Sequence, residues 1–195
     1  MITVRLFAGK LISCLLHHGI MNSKKTSSIT FRIDDSYGDI LRKVAEKEGM
    51  SLNTLANKIF GQYVEYDIFS TKFGMLKIST DTFRRILSKI SDQDIIDLAT
   101  RAGSQEAKEF ILFKWKELNT DSVTDFILLL FEYCGYGRCH MDRKEGKIAI
   151  SVHHDLKEKG SLYLEHLLTS LIQTTLKKSS TVDSTEDVLT LRFQP

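Results

Sequence analysis

The side chains that most readily bind a metal cluster in one stretch: Cys134, Cys139, His140, His153 and His154. Thiolates and imidazoles are the usual protein ligands of zinc and nickel. The spacing argues against a site. Cys-x4-Cys-His followed by His-His matches no established zinc pattern, and neighbours such as Cys139 and His140 point to opposite faces of a strand. They read as buried cysteines and scattered surface histidines, with no metal and no cofactor expected. Asp92, Asp94 and Asp97 lie on a polar helix face, where solvated carboxylates are the default. "FKWKEL" sets Trp115 between two lysines. At helical spacing Phe110, Phe113 and Trp115 are packing residues rather than a base-stacking platform. The chain has no Gly-rich phosphate loop, nucleophile elbow or HExxH, so catalysis is not expected.

Charge placement points elsewhere. The net charge of +2 is small, but up to Ile33 every charged residue is basic: Arg5, Lys10, Lys24, Lys25 and Arg32. From residue 34 the signs mix. A basic arm suits a polyanionic partner, or is a solvated tail. The three cysteines make no disulfide framework, which fits a reducing cytosol and predicts a cytoplasmic protein. The longest apolar run, "FILLLF" at 126–131, is too short to span a bilayer, so no membrane partner is expected. "LISCLLHHGI" (11–20) has some apolar character of a leader, but His17 and His18 interrupt it and no small-residue cleavage site follows. Met21 opens a second start, so residues 1–20 are expected to be an upstream extension, disordered or untranslated. No internal repeat is evident.

The elements behind the arm are clearer. "SSITFRID" (27–34) alternates, with Ile29, Phe31 and Ile33 on one side and Ser28, Thr30 and Arg32 on the other. No partner strand is apparent nearby, and an unpaired strand leaves costly backbone groups exposed. A helix follows, capped by Asp34, Asp35 or Ser36, with an apolar stripe of Tyr37, Ile40, Leu41, Val44 and Ala45 and a stop at Gly49. Ser51 caps a second helix, whose stripe is Leu52, Leu55, Ala56, Ile59, Phe60, Tyr63 and Val64. About 40 residues rarely bury enough surface to fold alone. A two-fold dimer answers both shortages: the strand pairs antiparallel with its own copy, and four helices share one core.

This segment resembles the ribbon-helix-helix DNA-binding domains, the group of the Arc and methionine repressors. The likeness rests on the alternation of "ITFRI" and on "GMSLNTL", which matches the family's Gly-x-Ser-x-Asn junction. It covers about a fifth of the chain. Gly38 and Gly61 inside the helices, and Asp34 where many members have proline, depart from the pattern. The resemblance implies that the ribbon enters the major groove of double-stranded DNA. Thr30 and Arg32 then touch base edges, with Ser28 near the ribbon's end as a third base contact. The N-terminus of the second helix points at a phosphate, aided by Ser51 and Asn53, and Lys24 and Lys25 reach the backbone.

Residues 67–78 read as a connection. Beyond them the pattern predicts helices over 79–91, 91–103, 104–118 and 121–137. A hairpin turning at Glu145–Gly146, a long helix over 157–178, a polar loop "KKSSTVDSTED" and a final strand "VLTLRF" follow. The expected fold class is α+β: an N-terminal ribbon-helix-helix unit followed by a mostly helical domain with a small antiparallel sheet. The expected divisions are a flexible basic arm at 1–26, the ribbon-helix-helix domain at 27–68, and an oligomerisation or effector domain at 75–195. The expectation is a dimeric transcriptional regulator of prokaryotic type, a repressor, which can assemble further. Two rivals stay open: an antitoxin, and a ligand- or protein-binding module that does not bind DNA. No effector is identified.

Overall fold

The computed structural model describes residues 2–7 and 26–195, with side chains from residue 27 onward. The fold is α+β, and it divides into unit 1, Met1–Lys72, and unit 2, Phe73–Pro195. Among the described residues no helix is long and apolar enough to cross a membrane.

Unit 1 begins with a two-stranded antiparallel sheet of β1 (Ile2–Phe7) and β2 (Thr26–Phe31). The strand expected to lack a partner in its own chain therefore has one, with Thr3 opposite Thr30 and Arg5 opposite Ser28. "ITVRL" (2–6) repeats the alternation and most residues of "ITFRI" (29–33). The two segments suit the same pleat for the same reason. The rest of the basic arm, with Lys24 and Lys25, lies outside the described residues.

The ladder ends at Phe31, opposite Ile2, and Asp34 caps the next element. In α1 (Asp35–Lys47) the Asp34 carboxylate accepts a 2.9 Å bond from Ser36 N–H. Ser36 holds that carboxyl below the ordinary carboxylate range through its hydroxyl and its backbone N–H. The helix stops in a Schellman motif. Gly49, at φ 64°, donates to Glu46 O at 3.0 Å, and Met50 donates to Ala45 O at 2.9 Å. Two residues later Ser51 Oγ accepts from Thr54 N–H at 3.1 Å and caps α2 (Leu52–Gln62). A π-helical turn, Tyr63–Asp67, runs on into α3 (Ile68–Phe73), so part of the expected connection is helix. Phe31 of β2 stacks on Phe60 of α2, with centroids 5.3 Å apart.

In unit 2, α4 (Thr80–Leu87) is capped by Ser79. Next, α5 (Asp92–Arg101), a π-helical turn (Ala102–Glu106) and α6 (Ala107–Trp115) form one continuous helical run. Gly103, expected to stop a helix, is inside it. An added Cβ there would lie 2.1 Å from the carbonyl oxygen of Leu167, so glycine is what permits the close crossing. A capping box at Asn119 starts α7 (Thr120–Tyr133). Strands β3 (Arg138–Lys144) and β4 (Lys147–His153) turn at Glu145 and Gly146, at φ 50° and 69°, as the sequence predicts. Then come α8 (Lys157–Leu171), extended by a π-helical turn to Leu176, β5 (Ser180–Ser184) and β6 (Val188–Phe193). The sheet order is β3-β4-β6-β5, antiparallel throughout. Thus the polar loop expected before the last strand contains β5, a short Ser/Thr-rich edge strand.

The core of unit 2 forms around α8. Leu164, Leu168 and Leu171 are fully buried, as are Ile150 and Val152 of β4, Leu189 and Leu191 of β6, and Ile95 of α5. Each such side chain contributes about 1.5–3 kcal/mol. Arg143 of β3 ties the sheet to α7 through Asp121 at 3.0 Å and Thr124 at 2.9 Å.

The glycines give opposite expectations. Gly103→Ala must push α5 and α8 apart, and costs at least about 1–3 kcal/mol in urea unfolding. Gly61 has nothing within 4 Å of an added Cβ, and at Gly38 the nearest atom is 3.6 Å away. Alanine at either position gains roughly 0.5–1 kcal/mol, read as a higher unfolding midpoint.

Candidate nucleic-acid interface

Ser28 and Thr30 sit on β2, and both are exposed. Arg32 is also exposed, in the extended link between β2 and the Asp34 cap. Alternation and register put Ser28 and Thr30 on one face of the ribbon, with Arg5 and Thr3 at the opposite positions of β1. The Thr3–Thr30 pairing joins equivalent positions of the two similar segments, so the ribbon has a local two-fold character. Thr3 and Arg5 lie in the stretch expected to be an upstream extension. The signal that finds them is the repeat of "ITVRL" in "ITFRI".

Ser51 and Asn53 lie at the N-terminus of α2. Ser51 is exposed and Asn53 half-buried. The Ser51 side chain satisfies Thr54 N–H, and Leu55 N–H bonds to Ser51 O. The Leu52 and Asn53 N–H groups precede the first intrahelical bond and carry the positive end of the helix dipole. Charge is distributed in the same sense. Unit 1 has 10 Lys/Arg against 7 Asp/Glu, net +3, and unit 2 has 17 against 18, net −1, consistent with the total of +2.

The Cys/His cluster does not assemble. Cys139 and His140 lie opposite Val152 and Ser151 in the β3–β4 ladder. Cys134 and Cys139 are half-buried, and His140 and His153 exposed. Among the described residues no three His, Cys, Asp or Glu side chains are placed to hold a metal ion. Asp94 shares the cap of Ser91, while Gln93 bonds Asp97 at 3.0 Å and Lys159 pairs with Asp92 at 3.4 Å. Phe110 is buried between the rings of Phe126 and Trp115, at 5.6 and 6.4 Å, and so packs as expected.

Among the described residues one histidine is buried, and a serine lies 3.0 Å from its Nε2: His154 and Ser161. The pair has the reach of a nucleophile and its base. Its hydrogen bonds give it a different role. Leu156 N–H donates to Nδ1 at 3.3 Å, so Nε2 carries the proton of the neutral ring and donates to Ser161 Oγ. The serine hydroxyl in turn donates to Thr185 O. A ring with its proton on Nε2 cannot accept one from serine. The network instead binds the end of β4, the start of α8 and the β5–β6 turn together, with His154 N–H donating to Asp187 O at 2.9 Å.

Burial holds the His154 imidazole below its ordinary range, against the pull of Asp187 and Asp155. A folded-state value below the unfolded one means stability is complete above about pH 6.5 and is lost as pH falls through the folded value. Chemical denaturation between pH 7 and pH 5 is expected to show unit 2 weakening. A His154→Gln variant, less stable at pH 7, loses part of that slope. Compared with known protein families and with curated proteins, the chain matches none.

Proposed function

We propose that this chain is a dimeric, sequence-specific DNA-binding transcriptional regulator, with unit 1 as a ribbon-helix-helix domain. The observation that carries the reading is the unit's exposed apolar surface. Tyr37 and Ile40 on α1 are 65% and 58% exposed, and Tyr63 and Val64 at the end of the second helix 56% and 58%. These residues belong to the two helical stripes, yet among the described residues of unit 1 none covers them. A second copy placed on a two-fold axis buries all of them at once.

The ribbon then presents Ser28, Thr30 and Arg32 to base edges in the major groove. Arg32 donates two hydrogen bonds to guanine, and Thr30 bonds a base or touches a thymine methyl. Ser51, Asn53 and the free N–H groups of α2 hold one phosphate, and Lys24 and Lys25 add salt-sensitive backbone contacts. In the isolated chain β1 supplies the second strand of the ribbon. In the dimer that place goes to β2 of the other copy, whose residues carry the same alternation. The protein acts in a prokaryotic cytoplasm by occupying an operator as a repressor, without catalysis. Unit 2 supports assembly or senses an effector.

Gel shift with salt titration tests this. Binding is expected to fall steeply with salt, and Lys24→Ala with Lys25→Ala, which removes four lysines from the dimer, lowers the log–log slope by about 4 while weakening all sequences alike. Arg32→Ala relaxes base preference by about 1–3 kcal/mol at one position of each half-site. Failure to bind duplex DNA at low salt defeats the proposal. Sedimentation supplies a separate check: Ile40→Asp should shift the dimer towards monomer and weaken DNA binding with it.

A further inference from the structure

Unit 2 contains a cavity of about 350 Å³, bounded in part by Phe110, Phe126, Tyr136, Tyr163 and Ala102. Small-molecule sites run from roughly 300 to 1,000 Å³, so this one suits a compact ligand. Its single charged lining residue is Glu106. That side chain is 61% exposed, which places it at the mouth. Arg101 Nε approaches Glu106 Oε1 only to 3.9 Å, and its own side chain is 70% exposed. Such a contact is too long and too well screened to occupy the carboxylate.

Inside, the walls are aromatic. Phe110 and Phe126 have centroids 5.6 Å apart, and Tyr136 stacks on Tyr163 at 6.4 Å and 18°. The two phenols hydrogen-bond each other. Burial pushes both above their ordinary range, and the negative charge of Glu106 pushes each in the same direction. Burial opposes any charge within the walls, anionic or cationic; the carboxylate of Glu106 alone favours a cation, and it does so at the exposed mouth. Aromatic faces add a further attraction for positive charge.

We propose that this cavity binds a small arylalkylammonium compound, with its ring among the aromatic side chains and its ammonium group on Glu106. The site stands on unit 2 alone and does not depend on the DNA-binding reading.

Three probes of similar shape test it on the full chain by calorimetry near pH 7: phenethylammonium, 2-phenylethanol and 3-phenylpropionate. The fluorescence of Trp115, the only tryptophan, reports independently, because its ring lies 6.4 Å from that of Phe110. Phenethylammonium is expected to bind about tenfold or more tighter than 3-phenylpropionate. Glu106→Gln removes about that preference and leaves 2-phenylethanol unchanged. Ala102→Leu, which fills the cavity, abolishes binding of all three. Equal binding of anion and cation, an unchanged cation affinity in Glu106→Gln, or no binding to the folded chain overturns the proposal. If circular dichroism shows Ala102→Leu unfolded, Glu106→Gln at its exposed position decides alone.

Discussion

Residues 26–62 set two short helices on a narrow ribbon, and neither layer has enough surface to hide the other's apolar side chains. Ala45 and Leu55 are covered, and Phe31 finds Phe60. The stripes around them continue to Tyr37, Ile40, Tyr63 and Val64, which face water. Burying such side chains is the dominant favourable term in folding and association. A unit of this size must therefore recruit further surface. In the proposed dimer the two-fold axis would also double the ribbon's outward residues, so the larger core and the reading of a palindrome would have one source.

Unit 2 meets the same constraint within itself. Its long helix α8 is buried along Leu164, Leu168 and Leu171 and lies between α5 and the β5–β6 side of the sheet. The approach of α5 depends on Gly103, whose missing side chain lets the backbone of Leu167 come close. The π-helical turn that holds Gly103 also carries Ala102 and Glu106 to the cavity. One tight helix crossing thus sets both the packing of the unit and the shape of its aromatic cavity. The His154–Ser161 network fastens the opposite end of α8.

Much of this was readable where local chemistry decides local structure. The caps at Asp34 and Ser51, the Gly49 stop, and the Glu145–Gly146 turn follow from residue type and spacing. The errors arose where tertiary context prevails. Gly103 looked like a helix end, but its purpose is a close approach to residues 64 positions later, at Leu167. β5 looked like loop because Ser180, Thr181, Asp183 and Ser184 are polar, as an edge strand allows. β1 is legible only in its likeness to 29–33, because residues 8–25 separate it from the strand it pairs with. The cavity could not be read at all, since its walls come from residues 73 to 167.

The pairing of β1 with β2 has a consequence for dosage. A strand on the same chain competes at an effective concentration set by its tether, whereas a strand from another molecule competes at the concentration of the protein. If β1 and the second copy's β2 contend for one place, the chain carries its own competitor. The dimer then forms only above a threshold of protein, and at low copy number each molecule closes its ribbon upon itself. In the proposed dimer, the segment Ile2–Phe7 would then set how much protein must accumulate before the paired form appears.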